Sequence, residues 1–276
     1  MTKQDLKQQI ARYANRNLQT RKNWYSPAAT AYNQARPDYP EAFLRQVIDV
    51  AQLSQQSHIL EIGCGPGTAT VGLAPLVRKI QAIEPNPDFH QIATQNCDPH
   101  PNIEIHNTSF EEWPLAAMQF DAVVAASSFH WIPAEVGYPK AADALRENGH
   151  LILLWNKELY PRVELYQELS KIYQTHAPEL DRFEDEPTQL KILSQLGAMI
   201  TESDRFHNLT TDHVRTEVTY SIDRYFTLLN TYSPYIKLDP TVKAALFQDL
   251  RQTIKQHCGT EIPLSYISAF HIAQKI

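Results

Sequence analysis

Short apolar runs alternate with segments that repeat apolar residues every three or four positions, and this alternation organises most of the chain. The runs HILEI (58–62), KIQAIE (79–84), NIEIHNTS (102–109), FDAVVAASS (120–128) and HLILLW (150–155) are each too short for a helix and predict strands. Helical spacing fills the gaps at 68–75, 88–96 and 134–146, and Asn148-Gly149 is placed to cap the last of these. A further helix starts at Pro40, with Phe43, Leu44, Val47, Ile48 and Ala51 on one face. Upstream lie a polar amphipathic helix and Ser26-Pro27, an expected N-cap with proline at the first helical position. Strands separated by helices imply parallel βαβ units with right-handed crossovers, hence an α/β, doubly wound, Rossmann-like sheet.

Beyond residue 156 the pattern loosens. Residues 157–200 and 222–260 carry helical spacing, while 213–221 and 262–275 alternate and predict two antiparallel additions at the sheet edge. The expected organisation is one domain over 1–276 with a mostly parallel, seven-stranded sheet. Its core is 41–156 with 206–221 and 261–276, and a helical cap comes from 1–40, 157–205 and 222–260. Aromatic residues crowd the cap, among them Tyr160, Tyr166, Tyr173, Phe183, Tyr225, Phe226, Tyr232 and Tyr235. At helical spacing most of these are expected to pack as core.

Composition narrows the function. With 276 residues, 43% hydrophobic and 20% charged, the chain can bury a substantial core. A net charge of -6 and the lack of any basic run argue against nucleic acid or an anionic membrane as partner. Cys64, Cys97 and Cys258 are odd in number and widely spaced, which argues against a disulfide framework and a zinc site, and no metal is expected. The start has no apolar leader, and runs such as LILLW fall short of the roughly 20 residues that span a bilayer. A cytoplasmic protein without stable membrane anchoring is expected. No feature fixes its oligomeric state.

The chemistry concentrates in EIGCGPGT (61–68). Only 8 glycines occur in the chain, yet Gly63, Gly65 and Gly67 fall within five positions directly after the first strand. Glycine there implies positive φ or a ligand lying close to the main chain. The turn also occupies the switch point of a doubly wound sheet, where ligands bind. A dinucleotide site needs G-x-G-x-x-G, but Thr68 stands at the third glycine position and Pro66 removes an amide donor. Glu61 would repel a pyrophosphate and suits a cationic ligand. Glu84, about 20 residues after Gly63, is placed to accept ribose hydroxyls.

The motif acid-x-Gly-x-Gly-x-Gly, matched by Glu61, Gly63, Gly65 and Gly67, resembles the class I S-adenosylmethionine-dependent methyltransferases. The resemblance runs from about residue 35 to 155. YNQARPDYP (32–40) is similar to the Tyr…Arg-Pro-x-Tyr-Pro lead-in of that family. AASSFHWIP (125–133) is similar to small-molecule members such as trans-aconitate methyltransferase and lacks the Asn/Asp-Pro-Pro-Tyr signature of nucleic-acid amino methyltransferases. The resemblance implies S-adenosyl-L-methionine as cofactor, held by Arg36, Glu61, Gly63, Cys64, Gly65, Gly67, Thr68, Glu84, Ser109, Phe110, Ala126 and Ser127.

In that scheme Ser109 and Phe110 receive adenine, the Ala126 and Ser127 carbonyls hold the ammonium, and Arg36 pairs with the methionine carboxylate or an acidic acceptor. Tyr32 and Tyr39 are lid candidates, Phe129, His130 and Trp131 wall the acceptor, and His130 is the candidate catalytic base. Glu111 and Glu112 are expected as a solvated helix start, and Trp113 as core. The implied function is methyl transfer to a small organic acceptor, a carboxylate or an apolar metabolite, lying under the cap helices. Alternatives are a cofactor-binding protein without turnover, a cyclopropane-forming lipid-modifying enzyme and, less favoured, a dinucleotide oxidoreductase.

Overall fold

Burial on both faces draws the apolar runs into the centre of a parallel sheet. The computed structural model describes residues 2–115 and 117–276. Helices α1 (Lys3–Ala14), α2 (Leu18–Lys22), α3 (Ala29–Ala35) and α4 (Glu41–Val50) precede β1 (His58–Ile62). Then come α5 (Thr68–Leu73), β2 (Lys79–Ile83), α6 (Pro87–Cys97), β3 (Ile103–His106), β4 (Phe120–Ala126), α7 (Ala134–Ala144) and β5 (Leu145–Asn156). The remainder is β6 (Tyr160–Pro161), α8 (Val163–His176), α9 (Glu186–Thr201), β7 (Phe206–Ser221), α10 (Ile222–Leu229), α11 (Ser233–Ile236), α12 (Pro240–Cys258) and β8 (Glu261–Lys275).

The sheet runs β3-β2-β1-β4-β5-β8, with β7 outside β8. The first five strands pair in parallel, while β8 is antiparallel to both β5 and β7. The two-residue β6 continues the line of β5 along β8, so the sheet has seven full strands and one short extension. Because β8 is flanked on both sides, its middle is buried throughout, whereas the edge strand β7 is largely exposed.

Each face of the sheet has its own core. On one, Phe43, Leu44, Val47 and Ile48 of α4 pack with Ile59, Ile80 and Phe270. On the other, Tyr138 and Ala141 of α7 and Leu193 and Ile200 of α9 cover Leu60, Val123 and Leu153. Each such side chain, fully buried, contributes about 1.5–3 kcal/mol. A third cluster joins α8, α10 and α12, and holds Tyr166, Tyr173, Tyr225, Phe226, Tyr232 and Tyr235. Within it the Tyr173 and Tyr235 hydroxyls meet at 2.7 Å. Phe183 is the exception, 37% exposed.

Two local expectations give way. Asn148 does not cap a helix, because α7 has ended at Ala144 and Asn148 lies inside β5 with φ of 62°. The pairing steps from Phe120–Leu145 to Ala122–His150, so Asn148-Gly149 belongs to a bulge, a second setting that favours the left-handed conformation. Ser26 does not cap a helix either; it opens a 3-10 turn, and its hydroxyl accepts from Asn86 Nδ2 at 2.9 Å.

Candidate active site

Left-handed φ angles of 64°, 58° and 91° at Gly63, Gly65 and Gly67 let the chain leave β1 and fold under itself before α5. The turn is anchored to β2 by the Gly63 N–H, which donates to the Ile83 carbonyl at 2.8 Å. A Cβ on Gly63 would lie 2.8 Å from that of Ser128, whereas one on Gly65 would meet nothing within 4 Å. At Gly65 the main chain is therefore bare, and it faces a cavity of about 430 Å³.

Glu84 closes the turn from the β2 side. One carboxylate oxygen accepts from the Gly65 N–H and the other from the Asn86 N–H, both at 2.8 Å. Burial pushes its carboxyl up to about 7, against the pull of those two donors. Lone pairs left on both oxygens at the cavity wall suit hydroxyl donors, and hydrogen bonds to them favour the ionised form.

Gly63, Cys64, Gly65, Thr68, Glu84, Ser109, Phe110, Ala126, Ser127, His130 and Arg36 all line this cavity. Two expected contacts lie elsewhere. Glu61 is 0% exposed beneath the turn, beside Thr70, and neither of its oxygens has a hydrogen-bond partner among the described residues. Burial and the nearby Glu84 raise its carboxyl to about 8, so at neutral pH it is protonated and presents no charge to the wall. Gly67 sits behind the wall, where its φ of 91° starts α5. Ser109 reaches the wall, but its hydroxyl donates to Glu112 at 2.8 Å and so caps the following turn.

Glu111 departs most from expectation. It is largely withdrawn from solvent and accepts from Arg21 at 2.5 Å, whereas Glu112 stays exposed as expected but accepts from Lys22 at 2.6 Å. Arg21 also donates to the Trp131 carbonyl at 2.7 Å, tying α2 to the loops that follow β3 and β4. The roof is thus built largely from the first forty residues, with Leu6, Ile10, Tyr13, Tyr25 and Tyr32 facing inward. The cap contributes Leu193 and Leu196 of α9 and Tyr232 to Pro234. Asn86, unremarked in the sequence, caps α6 through the Asp88 and Phe89 N–H groups and donates to the Lys22 carbonyl. Its signal was Asn86-Pro87, an N-cap followed by proline at the first helical position.

Arg36 lies between the rings of Tyr32 and Tyr232, its guanidinium carbon 4.9 and 4.2 Å from their centres. Its Nε donates to Thr231 Oγ1 at 2.8 Å, and no carboxylate pairs with it among the described residues. His130 is half-buried with an enclosed, unpartnered Nδ1, and desolvation lowers its pKa to about 4. It is neutral at physiological pH and a weak base.

A family model described as a methyltransferase domain matches residues 59–149. That span runs from β1 through the glycine turn, Glu84 and β4 into β5. Residues 59–149 are thus similar to a methyltransferase domain, in keeping with the resemblance of the glycine motif to class I S-adenosylmethionine-dependent methyltransferases. Relatives extend the match beyond the domain: a methyltransferase-named protein of Dictyostelium discoideum is 24% identical over 247 residues, 83% of this chain and 87% of its own. An uncharacterized methyltransferase-like protein of Schizosaccharomyces pombe is 29% identical over 150 residues, 53% of this chain and 57% of its own length. Among solved structures, a methyltransferase of Anaeromyxobacter dehalogenans shares the fold with a TM-score of 0.66 at 18% identity, over 87% of this chain and 97% of that one.

The residues of this site fit S-adenosylmethionine as a methyl donor. Bare main chain at Gly65 admits a nucleoside, and the Glu84 oxygens have acceptor capacity for its sugar hydroxyls. The carboxyl on the wall is Glu84 rather than Glu61; a cationic ligand beside it would favour its ionised form, and a pyrophosphate would oppose it.

Proposed function

We propose that this methyltransferase transfers its methyl group to a small organic acid, at a carboxylate oxygen. The reading is carried by His130, a neutral, desolvated imidazole on the cavity wall with a pKa lowered to about 4. A base this weak takes few protons from a hydroxyl or an ammonium, so the reaction favours an acceptor already ionised at neutral pH. When bound, S-adenosylmethionine supplies a methyl carbon activated by a cationic sulfur. The carboxylate's lone pair forms the new C–O bond as the C–S bond breaks, and no proton moves.

The protein's share is then alignment and exclusion of water. Together these supply up to about 7–11 kcal/mol of a displacement barrier. Glu84 orients the sugar, Arg36 pairs with the methionine carboxylate as a planar two-donor cation, and Phe110 packs against the adenine. Tyr25, Tyr32 and Trp131 close the roof, ring on ring, with Tyr25 and Trp131 centres 5.8 Å apart. The Arg21–Glu111 and Lys22–Glu112 pairs that hold this roof favour a small molecule over a polymer.

Radiolabelled S-adenosylmethionine and a panel of organic acids test the reading. Product methyl groups released by mild alkali as methanol support an ester; alkali-stable label on every acceptor overturns it. His130→Ala should lower turnover while leaving S-adenosylhomocysteine affinity within about twofold, and His130→Phe separates packing from proton transfer by restoring the rate only if packing is the role.

A further inference from the structure

A second cavity, about 560 Å³, lies behind the reactive end of the first. Ile10, His130, Ile132, Trp155 and Leu196 belong to both walls, so these five side chains form the partition. On one side of this boundary Trp155 is held in place. The rings of His130 and Trp155 lie 5.7 Å apart at 35°, and Trp155 Nε1 donates to His271 Nδ1 at 3.0 Å. Gly197 of α9, without a side chain, lets the helix pass close over the His271 ring. Beyond the partition the walls are Ala11 and Ala14 of α1, Phe129, Pro133, Tyr138 and Leu153, with Leu196 and Met199 of α9. Charged groups stand at the far rim, where Lys7 of α1 pairs with Glu202 after α9 at 2.8 Å.

We infer that the second cavity receives an apolar chain carried by the methyl acceptor, whose reacting head stays beside His130 in the first. The inference rests on the organic-acid reading and names its class: acids with a straight or branched hydrocarbon tail. Three observations favour this occupant. Most of the second cavity's lining is apolar (Ala11, Ala14, Phe129, Ile132, Leu153, Leu196 and Met199), which suits a hydrocarbon chain, while Lys7, Asn15, Glu135, Glu202 and Ser203 supply the polar part of the wall. The roof helix α1 is fastened across the rim, which excludes a macromolecular segment. The shared residues put the hollow next to the group that walls the acceptor, so a chain attached to the head reaches it by passing between their side chains.

The test uses the full chain saturated with S-adenosylhomocysteine and measures binding of butyrate, hexanoate, octanoate and dodecanoate by calorimetry. Affinity should rise by about fourfold for each methylene buried. Met199→Trp and Ala11→Phe, which fill the second cavity without touching the first, should each weaken dodecanoate more than tenfold, on the order of the burial lost. Both should leave butyrate and S-adenosylhomocysteine binding unchanged. Using two variants on different helices guards against one that fails to fold. Equal affinity across the acids, or equal loss for short and long acids in both variants, overturns the inference and spares the organic-acid reading. Tail-dependent binding with only alkali-stable methyl products overturns that reading instead and leaves the cavity assignment standing as a binding site.

Discussion

A buried carboxyl with no partner on either oxygen is costly when ionised, and Glu61 avoids the cost by holding its proton to about 8. An unfolded chain would release that proton near 4.5. Between those values Glu61 binds one proton in the folded, ligand-free protein that it lacks in the unfolded one, and Glu84, raised to about 7, adds to the effect at lower pH; stability from these groups falls as pH rises and levels off above about 8. His130 acts in the opposite sense, since its depressed pKa costs stability as pH falls below 6.5 toward about 4. Glu61→Gln should flatten the slope between about pH 7 and pH 8 and leave a shallower one below, where Glu84 still titrates. Melting temperatures of ligand-free wild type and variant, from about pH 5 to about pH 9, check this; parallel curves would assign the slope to another group. Glu61 was legible as part of a motif, but its depth was not. A position at the end of a buried strand, next to a turn that must bend beneath itself, loses its water for reasons that no local pattern records.

At the scale of elements, strands and glycine turn were readable because each is specified within five to ten residues. HILEI falls on β1 residue for residue. The misreadings share a cause. Asn148-Gly149 is compatible with a helix cap and with a bulge, and only the register against β4 selects the bulge. Glu111 and Glu112 have the composition of a solvated helix start, yet they receive Arg21 and Lys22 from a segment 90 residues earlier. The Arg21–Glu111 pair is nearly enclosed, with side chains 10% and 18% exposed. Arg21→Ala should therefore weaken S-adenosylhomocysteine binding by about tenfold, as the loss of one charged hydrogen bond implies. The effect belongs in the dissociation rate, since the roof holds the ligand in. Stopped-flow displacement measures it, and an unchanged off-rate would separate α2 from retention.

For the whole molecule, the sequence shows a sheet and a ligand turn but not which segments cover them. Trp24 Nε1 donates to Ser233 Oγ across 209 residues of chain, a contact created only by the finished topology. Such a roof couples cofactor to global stability. At a ligand concentration of about 100 Kd the folded state gains about 2.7 kcal/mol, and the melting temperature should rise by several degrees with S-adenosylmethionine. NAD at the same concentration should leave it unchanged; the reverse pattern in a thermal-shift assay would reopen the dinucleotide reading.

The position of β8 has a consequence for biosynthesis. This strand is made after both β5 and β7, yet it fills the slot between them and pairs with each. A nascent chain that has emerged only as far as α12 therefore carries two unsatisfied strand edges, one of them the apolar LILLW stretch of β5, open to pairing with other polypeptides. Translation stalls or premature stop codons before residue 261 should thus yield molecules that chaperones retain and proteases clear, even though every residue lining the first cavity has already been synthesised.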